Sequence, residues 1–304
     1  MTQVIEVSHL TKQFGGFTAV DNISFLVKEG EVVGLLGRNG AGKTTTISML
    51  LGLLTPTRGT IRIFGKDLET HREEILSRVN FSSAYINFPT LLSARENLGV
   101  FAMLYDIPGR EEKVTEVIQL FGIEPFADIK YMYLSDGQQT RVHLAKAFLN
   151  NPRILFLDEP TAALDPDIAD MVRKLILAMQ KRHTMTVLLT SHNMAEVEDI
   201  CDRVIFIDQG KIIAEDTPYS LAKQMTGVTI NLMIKDGMKR MLEYCKKHGF
   251  SAKQDGRYIT ATLSESDIIY FLSFLVENGI SYEEISIDRP TLEDYFLRKS
   301  RRPA

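Results

Sequence analysis

The stretch Gly37-Arg38-Asn39-Gly40-Ala41-Gly42-Lys43-Thr44-Thr45 sits between an apolar run, Val32-Val33-Gly34-Leu35-Leu36, and a segment carrying Ile47, Leu50 and Leu51 at helical spacing. It fits the pattern Gly-x-x-x-x-Gly-Lys-Ser/Thr. The flanks read as a buried strand that enters a helix through a glycine loop. Glycines without Cβ atoms let successive backbone N–H groups curl around a dense anion. The helix N-terminus adds a positive dipole end at the same place. Lys43 can reach the outer phosphates of a nucleotide, and the Thr44 hydroxyl can ligate Mg²⁺. Gly37, Asn39, Gly40, Gly42, Lys43, Thr44 and Thr45 are therefore the candidate nucleotide-binding residues.

The chain of 304 residues has the length of one large domain or two ordinary ones. It is 44% hydrophobic and 24% charged, as expected of a water-facing globular protein. Lys and Arg number 35 against 39 Asp and Glu, a formal net charge of −4. No global attraction to nucleic acid or anionic lipid follows from that balance. The two cysteines, Cys201 and Cys245, form no metal or redox pattern and read as reduced, structural thiols of a cytosolic chain. The N-terminus carries no basic-then-apolar leader. The apolar stretch Ile268 to Val276 is interrupted by Ser273 and is too short to span a bilayer. Work at a membrane would require another chain to cross it.

Outward from the loop, residues 1–34 alternate apolar and polar positions and predict a small antiparallel sheet. Ile61 to Phe64 read as a further short strand. Residues 90–150 read as helical, with Val114, Val117, Ile118 and Phe121 at i, i+3, i+4, i+7. Ile154-Leu155-Phe156-Leu157 is a buried strand that ends in Asp158-Glu159. A helix with Ile168, Met171, Val172, Leu175 and Met179 on one face follows, then a strand, Val187-Leu188-Leu189, that ends in Ser191-His192. Strands alternating with helices predict a mostly parallel sheet, with ligands at the carboxyl ends of its strands. After residue 225 the order changes to βαββαβ, a ferredoxin-like arrangement. The expected fold is thus α/β, a P-loop cassette with an N-terminal antiparallel subdomain and an inserted helical subdomain over about 85–150. Residues 1–225 form the cassette and 226–304 a small α+β accessory domain.

Asp158 is placed to bind Mg²⁺ directly or through water, and Glu159 to activate an attacking water. Leu134-Ser135-Asp136-Gly137-Gln138 reads as a helix capping box, Ser135 with Gln138, that also presents N–H groups and a hydroxyl to an anion. Phe14 can stack on a base. His192 ends an apolar strand, where a histidine is more often structural than catalytic.

Taken together these motifs resemble the ATP-binding-cassette ATPases. Gly37 to Thr45, Leu134 to Gln138, Ile154 to Glu159, Ala163-Leu164-Asp165 and Thr190-Ser191-His192 occur in that family's order, over residues 1 to about 225. The Leu-Ser-x-Gly-Gln element is particular to it. The resemblance implies ATP and Mg²⁺ as cofactors and a head-to-tail dimer, of two copies or of this chain with a second cassette subunit. ATP would lie between one subunit's phosphate loop and the other's Ser135, Gly137 and Gln138. It also implies Phe14 on adenine, Asp165 linking the two sites, His192 sensing the γ-phosphate, and a separate transmembrane permease, with no nucleic acid. One position departs. The family's Gln at the start of the helical region is replaced, Ala84 standing in Asn80-Phe81-Ser82-Ser83-Ala84-Tyr85, which puts hydrolysis and its transmission to a permease in question. The close Pro290-Thr291-Leu292-Glu293-Asp294-Tyr295-Phe296 resembles that of bacterial drug and polysaccharide exporters. The implied function is the ATPase of an exporter, cytoplasmic and peripheral on the inner face of the membrane, with residues 82–105 receiving a short helix of the permease. The alternatives are a cassette ATPase unconnected to transport and an ATP-sensing regulator of low turnover. The basic end, Arg298, Lys299, Arg301 and Arg302, reads as a solvated tail.

Overall fold

The computed structural model describes residues 2–83, 88–162, 164–225 and 227–300. The chain divides into two compact units, Met1–Pro218 and Tyr219–Ala304. Ala84, Ala163, Arg301 and Arg302 lie outside the described residues.

In the first unit β1 (Gln3–Phe14) and β2 (Phe17–Lys28) form a long hairpin, joined by β4 (Arg58–Ile63) and β5 (Lys66–Asp67) in the antiparallel order β2-β1-β4-β5. A second sheet has the order β10-β9-β3-β8-β7-β6. Its strands are β3 (Val32–Leu36), β6 (Val79–Ser83), β7 (Ile154–Asp158), β8 (Thr186–Ser191), β9 (Arg203–Asp208) and β10 (Lys211–Asp216). All neighbours are parallel except β9 with β10. The expected parallel sheet is present, and it is larger than the apolar runs indicated. β6 was not predicted, because its Asn80, Ser82 and Ser83 are polar although buried. β9 and β10 also extend the sheet beyond the sequence reading.

The loop-bearing helix α1 (Lys43–Leu50) buries Ile47, Met49 and Leu50 in one core shared with Val7, Ile23 and Ile63 of the antiparallel sheet and Leu35, Phe156 and Leu188 of the parallel one. Each such side chain contributes about 1.5–3 kcal/mol by leaving water, so the phosphate loop is anchored between two sheets. The short α2 (Arg72–Leu76) precedes β6, and α6 (Pro166–His183) and α7 (Met194–Ile200) follow β7 and β8. In α6 the buried stripe is Ala169, Val172, Ile176 and Met179, while Ile168, Met171 and Leu175 are only half-buried.

The helical region contains α3 (Ala94–Leu104), α4 (Arg110–Leu120) and α5 (Asp136–Ala147). Helices α3 and α5 both begin with complete capping boxes, Ser93 with Glu96 and Ser135 with Gln138, each worth about 1 kcal/mol. A buried polar cluster fastens α5 to the parallel sheet. Lys146 Nζ donates to Asn80 Oδ1 (3.2 Å) and to the Phe81 carbonyl (2.9 Å) of β6. His143 Nε2 lies 2.6 Å from the Tyr131 hydroxyl, and its ring stacks on Phe88. Burial pushes Lys146 down to about 8. Burial, aided by the Lys146 charge, pushes His143 down to about 4.

The second unit begins within α8 (Pro218–Lys223) and continues as β11 (Val228–Asp236), α9 (Met238–His248), β12 (Ser251–Asp255), β13 (Tyr258–Leu263), α10 (Ile268–Glu277), β14 (Ser281–Asp288) and α11 (Leu292–Ser300). Its antiparallel sheet has the order β12-β13-β11-β14, which is the ferredoxin-like arrangement. Ile230, Leu232 and Ile259 of the sheet pack with Met241, Cys245, Phe271 and Leu275 of its helices. The exporter-like close is helical from Leu292.

The folded chain keeps His143 neutral down to about pH 4, while its ordinary value is 6.5. Between those values the unfolded chain binds more protons, so stability falls as pH drops through that window, by up to about 3 kcal/mol. Urea unfolding followed by circular dichroism should show this acid slope. His143→Phe should flatten it while lowering stability at neutral pH, because Tyr131 loses its partner.

Candidate functional site

Three strand ends converge. β3 runs into the phosphate loop, β7 ends at Asp158, and β8 ends at Ser191 before His192. Because β3, β8 and β7 are adjacent and parallel, all three carboxyl ends lie on one edge of the sheet. A cavity of about 530 Å³ opens there, lined by Asn39, Gly40, Gly42, Lys43, Thr44, Thr45, Asp158, Glu159 and His192, with Phe14 and Phe17 from the tip of the first hairpin.

The loop conformation depends on two missing side chains. A Cβ on Gly37 would stand 2.1 Å from the Ile207 carbonyl oxygen, and one on Gly42, where φ is +110°, would stand 2.6 Å from that of Ala19. The loop is also fastened from outside, since Gly210 N donates to the Ala41 carbonyl at 2.9 Å. Lys43 is buried and donates to the Gly37 (2.7 Å) and Arg38 (3.3 Å) carbonyls. Burial lowers its pKa, and Glu159 and Asp158 oppose that by favouring the charged form. No acidic residue occupies the first turn of α1, and no side chain caps it. Its free N–H groups therefore remain available to an anion.

Opposite the loop, Asp158 Oδ1 accepts from the Thr190 hydroxyl at 2.6 Å. Glu159 N donates to the Thr190 carbonyl (3.2 Å) and hydroxyl (3.1 Å). Glu159 has φ +52°, in the left-handed region that costs a non-glycine residue about 1 kcal/mol or more. The turn swings its carboxylate out of line with the strand and towards His192, whose Nδ1 lies 2.7 Å from Glu159 Oε2. Thr44 and Asp158 offer hard oxygen donors, and among the described residues no three His, Cys, Asp or Glu side chains converge on a metal position. Such a sparse set suits a divalent cation that takes its other ligands from phosphate oxygens and water.

The structure does not bring every candidate into this cavity. Ser135, Gly137 and Gln138 open α5 and are absent from its lining. Gly137 packs so closely on α6 that a Cβ would meet Ile168 Cγ2 at 2.9 Å. Asp165 is the exposed N-cap residue of α6, and its side chain makes no capping bond. Phe17 was missed. It pairs with Phe14 across Gly15-Gly16 in the hairpin register, and two aromatics flanking a glycine pair between strands were the available signal. The part played by Thr190 was not foreseen either, although it stands in the Thr190-Ser191-His192 motif, since a threonine inside an apolar strand carries no mark of its partners.

A glycine phosphate loop anchored on the central strand of a parallel sheet, facing an Asp–Glu strand end, defines a nucleoside triphosphatase of the P-loop kind. A profile of the ABC transporter family matches residues 20–162. The chain is 34% identical to the bacitracin transport ATP-binding protein of Bacillus licheniformis, covering 98% of this chain and 97% of that one. It is 31% identical to a Nod factor export ATP-binding protein of Ralstonia nicotianae, covering 98% and 94%. A daunorubicin/doxorubicin resistance ATP-binding protein of Streptomyces peucetius is 36% identical over 79% of this chain and 73% of its own. Among solved structures, a part of an ABC transporter complex from Clostridium perfringens superposes with a TM-score of 0.67 at 26% identity, over 74% of this chain and 92% of that one. A dimeric cassette in a post-hydrolysis state with ADP and Pi superposes at 0.63 and 27%, over 70% and 98%. The chain belongs to the ATP-binding subunits of the ABC transporter family and is an ATPase, as the resemblance in its sequence indicated.

Loop closure is the sensitive point of the site. Gly37→Ala and Gly42→Ala should each weaken binding of a fluorescent ATP analogue by more than tenfold with an unchanged circular dichroism spectrum. Gly40→Ala, whose Cβ meets nothing within 4 Å, should cost far less.

Proposed function

We propose that this chain is the ATP-hydrolysing subunit of an export-type transporter and drives a separate membrane-spanning permease. The observation that carries the reading is the joining of Lys43, Thr44, Asp158, Glu159 and His192 around one cavity. The N–H groups of residues 39–45 and the Lys43 ammonium hold the phosphates. Phe14, with Phe17 beside it, stacks on the adenine. Thr44 and Asp158 would hold Mg²⁺, which when bound would offset the negative charge of the phosphates. Glu159 accepts a proton from the water that attacks the γ-phosphorus, and ADP leaves. His192, close enough to hydrogen-bond Glu159, orients that carboxylate and senses the γ-phosphate.

Ser135 and Gly137 are exposed or half-exposed and lie outside the cavity of their own chain. That favours a head-to-tail dimer in which they and Gln138 close on the ATP of the partner subunit, with Asp165 at the join. Residues 1–225 are then the cassette and 226–304 an accessory domain. Among the described residues no helix is long and apolar enough to cross a membrane, which accords with a peripheral subunit on the inner face, docked to its permease through the helical region. The names of the relatives support export over import. A slower, ATP-sensing role is the second reading, favoured by Ala84 where the family carries Gln.

Glu159→Gln should bind ATP with wild-type affinity, lose hydrolysis by 10²–10⁴-fold, and accumulate an ATP-bound dimer on gel filtration. Wild-type phosphate release from this variant would remove Glu159 as the base. Phosphate release by the unsubstituted protein decides between an exporter motor and a sensor.

A further inference from the structure

Behind the cavity lies a buried group that ATP chemistry leaves unexplained. Glu196, in the first turn of α7, is 1% exposed. Both of its oxygens are occupied by hydroxyl donors, Thr161 to Oε1 and Ser191 to Oε2, each at 2.6 Å. No lysine or arginine pairs with it among the described residues. A carboxylate in such a place is costly unless fully hydrogen-bonded, and charge-assisted hydroxyl bonds of this length are the strong kind.

The two donors come from the two segments that carry the chemistry. Thr161 lies two residues after Glu159 on the segment leading to Asp165, and Ser191 directly precedes His192. Ser191 is held further, its oxygen accepting from Asn193 N at 3.0 Å, while Asn193 Oδ1 accepts from Glu196 N at 3.3 Å. Glu196 therefore bridges these segments at a second level beneath the Glu159–His192 contact, and α7 serves as the fixed post. The bridge ties Thr161 to the strand end that carries His192.

We propose that Glu196 is a positioning residue that locks Thr161, two residues after Glu159, onto the strand end carrying His192, so that closure of the partner subunit on Asp165 is transmitted to the Glu159–His192 pair. This rests on the function proposed above for Glu159, His192 and Asp165. Glu196 is absent from the lining of the cavity, so its loss acts on turnover and not on ATP binding.

The test uses the full chain and steady-state phosphate release. Glu196→Leu keeps the volume and removes the bridge. It should lower kcat at least tenfold with the KM for ATP within twofold. Glu196→Gln, which can still bond both hydroxyls if one reverses its donor role, should recover most of the turnover. Ser191→Ala and Thr161→Val each remove one arm and disturb folding less. Each should lower kcat, and the double variant should be no worse than the more impaired single, because either cut opens the same bridge. Wild-type kcat in Glu196→Leu overturns the proposal. So does a loss that Glu196→Gln fails to recover, or additive effects of Ser191→Ala and Thr161→Val. Glu159→Gln is measured alongside. If it turns over normally, the assignment of the base has failed, whereas an inactive Glu159→Gln beside a fully active Glu196→Leu sinks the positioning role alone.

Discussion

The structure turns on a steric constraint at Gly37. The chain leaves β3 and passes so close under the Ile207 carbonyl that even a methyl group has no room. That close passage lets the loop fold back over Lys43, which reaches the Gly37 and Arg38 carbonyls. It also aims the first N–H groups of α1 into the cavity. Gly42, against the Ala19 carbonyl, sets the same constraint from the side of the antiparallel sheet. The loop thus passes between two sheets, in close contact with a backbone carbonyl of each. It is anchored by the shared core of Ile47, Met49 and Leu50 with Phe156 and Leu188.

The acidic side of the cavity obeys a different logic. Asp158 and Glu159 follow one another, yet they meet different partners because the backbone turns into the left-handed region at Glu159. Thr190 holds that turn from the neighbouring strand with its carbonyl and hydroxyl. Asp158 stays in line with β7, and Glu159 meets His192. The strain at Glu159 is sustained by hydrogen bonds between strands, so the placement of its carboxylate is a property of the sheet and not of the dipeptide.

Much of this was legible beforehand because it depends on local pattern. Val32 to Leu36, Ile154 to Leu157 and Val187 to Leu189 are continuous apolar runs, and buried parallel strands have that composition. The phosphate loop carries its glycines in the chain itself. The βαββαβ order after residue 225 followed from alternation and helical spacing alone. Other elements were invisible for physical reasons. β6 is buried but polar, its Asn80 and Phe81 carbonyl satisfied by Lys146 from a helix some 65 residues away. Glu196 and Thr190 look like an ordinary helix glutamate and an ordinary strand threonine. Their importance arises from partners 31 to 35 residues distant.

By itself the sequence determined the family, the nucleotide loop, the carboxylate pair and the order of the elements, since each is written in contiguous residues whose local sterics and hydrophobic spacing permit few alternatives. Only the tertiary structure decided which residues share a cavity. It placed His192 against Glu159, added Phe17 to Phe14, and left Ser135 and Gly137 outside. Those outcomes depend on strand register and on which side chains are buried together, and neither is encoded in any short stretch of the chain.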